Sequence, residues 1–227
     1  MILKKISSKF FKRKEKKRLT FSIPIGILER RGGDAMDNRK TIMQCALNLF
    51  SDKGYDSVGV QEIVTAAGIT KPTLYYYFKS KHGLLEALIQ EKGELLMRQL
   101  TQAVGTSGDI SEKLLQLAHA YVWFSTEDEK FFMLMLCLMY YPRQNEAHQA
   151  IAPLIHRQYS LITETFKKES KQLGNMNGRQ EQFAMGFIGT LDSYITVQYE
   201  RGKTREEIRD SGAVYSVVHQ FLHGIFS

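Results

Sequence analysis

The residues best suited to chemistry crowd into one stretch, TKPTLYYYFKSK at positions 70–81, where three consecutive tyrosines lie among three lysines. Ammonium groups and phenol hydroxyls donate hydrogen bonds to phosphate oxygens, and aromatic rings pack on base methyl groups, so this composition suits a nucleic-acid surface. Residues for covalent or proton-transfer catalysis are not assembled anywhere: there is no Gly-rich phosphate loop, paired-carboxylate motif or nucleophile elbow. An enzyme is not expected. His219 and His223 lie four apart, the spacing of metal ligands on a helix. With no third ligand nearby in sequence, neither a metal nor a cofactor is assigned. His119 reads as a core or edge residue.

Bulk charge says less than it first suggests. The 227-residue chain carries a formal +7, but residues 1–35 hold 11 basic and 3 acidic side chains, leaving 20 basic and 21 acidic in 36–227. The globular part is nearly neutral, so DNA binding must rest on a local patch. Cys45 and Cys137 sit in apolar runs, which predicts buried thiols and a reducing, cytoplasmic setting.

Residues 1–35 are basic, briefly apolar and then charged again, without an amphipathic period. The apolar part, 19–28, is interrupted by Ser22, Pro24 and Gly26 and is too short to span a bilayer, so no stable membrane insertion is expected. Two readings stay open. The segment is a basic tail for phosphate or anionic lipid, which would make the chain a peripheral membrane-surface protein. Otherwise it is not translated, because codons for Gly32, Gly33 and Asp34 can spell a purine-rich ribosome-binding sequence ahead of a start at Met36.

The elements that must position the tyrosines follow from periodicity. A first helix over 38–53 has Asp37 as N-cap, a face of Ile42, Ala46, Leu49 and Phe50, and Gly54 as a left-handed stop. A short second helix with Val60, Ile63, Val64 and Ala67 on one stripe ends at Gly68, and a third starts at once. Two short helices joined by so tight a turn have the form of a helix-turn-helix. Thr70 is positioned to cap the third helix, and Pro72 is tolerated in its first turn. Leu74 and Phe78 then share the inner face; Lys71, Pro72, Thr73 and Tyr76 point out, with Tyr75 and Tyr77 on the flanks. Ser80 is the expected cap of a fourth helix, whose N-terminus with Lys79 and Lys81 suits a phosphate.

Residues 41–88, with ALNLFSDKGY, IVTAAGIT and LYYYFKSKHGLL in order, resemble the DNA-binding domain of the TetR/AcrR family of bacterial transcriptional regulators. The resemblance implies an all-α protein: a three-helix helix-turn-helix DNA-binding domain at 36–82, and a larger helical effector-binding and dimerisation domain at 83–227. It further implies that Lys71, Pro72 and Thr73, opened by Thr70, enter the major groove; that Tyr75, Tyr76, Tyr77 and Lys81 contact base methyls or phosphates; and that Gln61 reaches a base edge. Gly59 stands where the family has Ser or Thr, so Ser57 or Tyr55 is the expected replacement contact.

Beyond the fourth helix, which is expected to end near residue 104, Thr126 and Glu129 form a capping box ahead of the apolar run KFFMLMLCLMYY. Pro142 and Pro153 bracket a short connection before a helix ending near residue 173. Trp123, Phe131, Met135, Met139 and Phe187 are candidate lining for an effector pocket. Two final helices, 179–201 and 205–226, carry Phe183, Phe187 and Leu191 every four residues and Ile208, Tyr215 and Leu222 every seven. Such stripes suit a homodimer interface, as the resemblance implies. The functional expectation is a dimeric repressor of a palindromic double-stranded DNA operator, released by a small, apolar effector.

Overall fold

The computed structural model describes residues 34–171, 173 and 176–224, and residues 1–33, which bear the basic-tail, membrane-surface and start-codon readings, lie outside the described residues. Every regular element among the described residues is a helix, so the fold is all-α. The chain divides into two compact units, one ending at Leu84 and a second from Leu85 onward.

The first unit is built on three helices: α1 (Asp34–Lys53), α2 (Val60–Ala67) and α3 (Lys71–Phe78). Helix α1 begins before Asp37, so Asp37 lies inside the helix rather than capping it. Its buried stripe is Ile42, Met43, Ala46, Leu47 and Phe50, while Leu49 is only half-buried. Gly54 ends it in the left-handed region (φ 82°), with its N–H donated to Phe50 O at 2.9 Å. Gly68 (φ 65°) ends α2 in the same way, with Ile69 N–H reaching back to Val64 O at 3.0 Å. That left-handed glycine lets the chain reverse within two residues and start α3 at once.

In the second unit α4 (Lys81–Val104, its first turn belonging to the first unit) is followed by α5 (Ile110–Glu127), α6 (Glu129–Met139), α7 (Glu146–Lys168), α8 (Gln180–Glu200), α9 (Arg205–Ile208) and α10 (Ser211–His223). Helix α7 packs on α6 and α8, and α10 on α5 and α8. Gly93 of α4 allows the close approach of Leu154: a Cβ there would meet a Leu154 methyl at 2.8 Å.

Four expectations give way here. The cap of α6 is Asp128, accepting from Phe131 N–H, whereas Thr126 is buried in the last turn of α5 with its hydroxyl on Val122 O and Trp123 O. Pro153 is inside α7, which is capped by Asn145 and ends at Lys168; burial of Ile151 and Leu154 beside it offsets the lost N–H bond. The last helix is broken into α9 and α10 because Asp210 turns its carboxylate onto Ala213 N–H and starts a new helix. That break takes Ile208, which is buried, and Tyr215, which is exposed, off a common face. Finally, Phe187 and Leu191 turn into their own core, Phe187 against the Phe221 ring at 5.1 Å. The outward side of α8 is Met185, Gly186, Gly189 and Val197 instead.

Candidate nucleic-acid interface

Helix α3 is started by Thr70, whose hydroxyl accepts from Thr73 N–H at 3.4 Å, and Pro72 occupies a first-turn position that lacks an intrahelical acceptor anyway. Leu74 (0% exposed) and Phe78 (4%) bury its inner edge. Each burial contributes about 1.5–3 kcal/mol, enough to fix which side of the helix faces out. That outer side is Lys71, Pro72, Tyr75 (43% exposed) and Tyr76 (74%). Thr73 is half-buried, its hydroxyl 2.9 Å from that of Thr70. Tyr77 is half-buried on the flank, edge-on to Tyr76 with ring centroids 5.1 Å apart. Its ring steadies the Tyr76 ring.

The exit from α3 is tight. Lys79 adopts φ 66°, ψ −38°, and Ser80 N–H donates to Phe78 O at 2.7 Å, closing a turn through an uncommon backbone conformation. Ser80 then caps α4 by accepting from Gly83 N–H at 2.9 Å. Gly83 is required, since a Cβ would lie 2.1 Å from Phe78 O. Together these contacts bring exposed Lys79 beside the start of α4, where free N–H groups favour an anion.

Two residues do not fill their expected roles. Tyr55 has no exposed surface; it packs edge-on to Phe50 at 5.1 Å and offers no contact to a ligand. The Lys81 ammonium donates to Tyr55 O (3.1 Å) and Val58 O (3.2 Å) and lies 4.0 Å from the Tyr55 ring centroid. It therefore ties the loop between α1 and α2 to the first residue of α4, with two of its three N–H groups committed inside the protein. Ser57 and Gln61 are exposed, and Gln61 lies 3.4 Å from the Thr65 hydroxyl on the same face of α2. Gly59 caps α2 without a side-chain bond. Sequence reasoning missed Arg39, whose guanidinium sits 5.5 Å from the Phe78 ring and adds a cation beside α3. Nothing in a linear pattern connects those two positions. Of the thiols, Cys45 is half-buried and donates weakly to Ala66 O, its pKa raised by burial, while Cys137 is exposed rather than buried as expected.

The residues proposed for an effector pocket are not gathered around one space. Phe131, Met135 and Phe187 are core, and Trp123 is 44% exposed beneath the Arg209 guanidinium at 5.4 Å. Met139 lines a cavity of about 60 Å³ with His148, Ile151, Ala152, Ile155 and His156. A larger groove, about 640 Å³, runs between α4 and α7 along Met97, Thr101, Arg98 and the Glu94–Arg157 ion pair. The sequence did not reveal a buried polar chain: the Tyr121 hydroxyl donates to Asp192 Oδ1 at 2.7 Å, and the buried amide of Gln158 hydrogen-bonds Tyr121. Burial pushes the Asp192 carboxyl up to about 6, against the smaller lowering effect of the Tyr121 hydrogen bond.

The model of the "Bacterial regulatory proteins, tetR family" matches residues 42–88, the segment that contains α2, α3 and the turn between them. Residues 42–88 therefore carry a DNA-binding domain of the TetR family. Over its longer extent it is 27% identical across 193 residues to the HTH-type transcriptional activator FasR of Mycolicibacterium smegmatis, covering 83% of this chain and 82% of FasR. In structure it is similar to the fatty acid degradation regulator FadR from Bacillus halodurans (TM-score 0.71, 22% identity, 87% of this chain and 99% of that one). It is also similar to FadR from Bacillus subtilis in complex with stearoyl-CoA (TM-score 0.69, 19% identity, 82% and 98%). Like its TetR-family relatives, the chain is a DNA-binding transcriptional regulator. No helix among the described residues is long and apolar enough to cross a membrane.

Proposed function

We propose that the chain is a cytoplasmic, dimeric repressor that reads a palindromic operator with α3 and leaves it when an apolar effector occupies the second unit. In this reading residues 36–82 bind DNA and 83–227 bind the effector and the second copy. The observation that carries it is the orientation of α3: Leu74 and Phe78 hold it from inside while Lys71, Pro72, Tyr75 and Tyr76 are left outside. Lys71, Pro72 and Thr73 at its N-terminus meet base edges; Tyr75, Tyr76 and Gln61 add base and phosphate contacts; and Tyr77 supports Tyr76. Ser57 and Lys79 meet the backbone, joined by the N-terminus of α4.

The second copy has a surface to use, because Met185, Val197 and Tyr215 leave large apolar area exposed within residues 179–226. In a dimer two copies of α3 enter successive major grooves about 34 Å apart. An effector that stabilises a different separation removes one half-site contact, and operator DNA must weaken effector binding by the same factor. A long-chain acyl-CoA is the first effector to try, since the FadR structure from Bacillus subtilis holds stearoyl-CoA. A second reading, activation, is favoured by the name of FasR. Selection of bound fragments from random DNA, followed by a promoter fusion with and without the effector, tests both. A palindrome with lower reporter output in the absence of effector supports repression, and higher output supports activation.

A further inference from the structure

The outward side of α10 carries three rings in a row, Tyr215, His219 and His223, all exposed. The Tyr215 and His219 ring centroids are 5.7 Å apart, and those of His219 and His223 only 4.3 Å. Neither imidazole takes part in a hydrogen bond or ion pair among the described residues. We propose that His219 and His223 together chelate a divalent transition-metal ion, with nickel, copper or zinc as the class that neutral imidazole favours.

Residues four apart sit one above the other on a helix, about 6 Å along the axis, a span that two imidazoles can close onto one ion. The stacked rings open by side-chain rotation, which their exposure permits. Position within the helix favours a cation further. His223 is the last residue of α10, where the backbone carbonyls of the final turn give a partial negative charge. No lysine or arginine occurs anywhere in α10 to compete for that charge. No group of three or more His, Cys, Asp or Glu among the described residues could enclose an ion, so water completes the coordination and the ion exchanges with solvent. Both ligands come from one chain, so the ion needs no ligand from a second copy or from DNA, and the full chain tests the site in whatever dimer it forms.

The test is calorimetric titration of NiCl2 and ZnCl2 into the full chain without an affinity tag. Saturable binding is expected, weakened about a hundredfold in His219→Ala or His223→Ala, because either change reduces a two-armed grip to a single ligand. The double variant His148→Ala/His156→Ala, which removes the histidines at the small α7 cavity, should bind as the parent does. His219→Gln/His223→Gln provides a second form of the loss, with circular dichroism confirming that helicity is kept. Absence of saturable binding in the parent, or undiminished binding in both variants of the pair, would overturn the proposal.

Discussion

Replacing Lys81 with Met separates two roles that the sequence could not tell apart. Methionine keeps the aliphatic stem but removes the ammonium that bonds Tyr55 O and Val58 O and sits over the Tyr55 ring. Hydrogen bonds to a charged donor are each worth about 1.5–3 kcal/mol, and a cation over an aromatic face adds about 0.5–1 kcal/mol. The three contacts share one group and do not sum, so a loss of about 2–4 kcal/mol in the stability of the first unit is expected. Unfolding in urea, followed by helicity and tyrosine fluorescence, measures it. Operator affinity as a function of salt supplies the second readout. A lysine that neutralises a phosphate contributes about 0.9 to the slope of log K against log salt. Lys71→Gln, on the exposed side of α3, should lower the slope by that amount with stability unchanged, whereas Lys81→Met should leave the slope alone once the protein is folded. If Lys81→Met instead lowers the slope like Lys71→Gln and leaves the urea midpoint in place, the structural role assigned to Lys81 is refuted.

Tyr75→Ala and Tyr76→Ala should each weaken operator binding, roughly by the 1–3 kcal/mol of a good base contact, with helicity intact; two variants that bind as the parent does would contradict the assigned face of α3. Phe78→Ala should destabilise the first unit by about 3–5 kcal/mol in thermal or urea unfolding, because it empties a site that is almost wholly buried. Asp192 gives a pH prediction. Its carboxyl titrates at about 6 in the fold against 3.8 ordinarily, so the folded state binds more protons between those values, and the contribution to stability is fully present below pH 4 and lost as pH rises through 6. Asp192→Asn should remove that loss, gaining on the parent by up to about 3 kcal/mol between pH 4 and 7.5 in urea unfolding. A constant difference across that range would show that burial does not raise the carboxyl.

What the sequence made legible was local. Thr70, Pro72, Gly54 and Gly68 act within a turn of where they stand, so the stops of α1 and α2 and the cap of α3 could be read from residue type, whereas the start of α1 could not. The inner position of Leu74 and Phe78 follows from helical spacing alone. Tertiary competition decided the rest. Tyr55 is polar-tipped and could have faced out, but Phe50 and the Lys81 ammonium enclose it. Thr126 and Asp128 are both plausible caps two residues apart, and the choice fell to Asp128 because Thr126 is buried where Arg209 donates to its hydroxyl at 2.5 Å. The stripe at Phe187 and Leu191 had the right period for a partner, yet period cannot say whether the neighbour is another copy or Phe221 of the same chain. The Tyr121–Asp192 bond joins positions 71 residues apart, and no linear pattern marks it.

The central claim is that α3 presents Lys71, Tyr75 and Tyr76 to the major groove of a symmetric site. Selection from random double-stranded fragments at moderate salt, repeated with Tyr76→Ala, addresses it most directly. The account predicts an inverted repeat with half-site centres about one helical turn apart, and a relaxed preference at one position per half-site in the variant. An enriched pool without a repeat, or one whose sequence is indifferent to Tyr76, would contradict it.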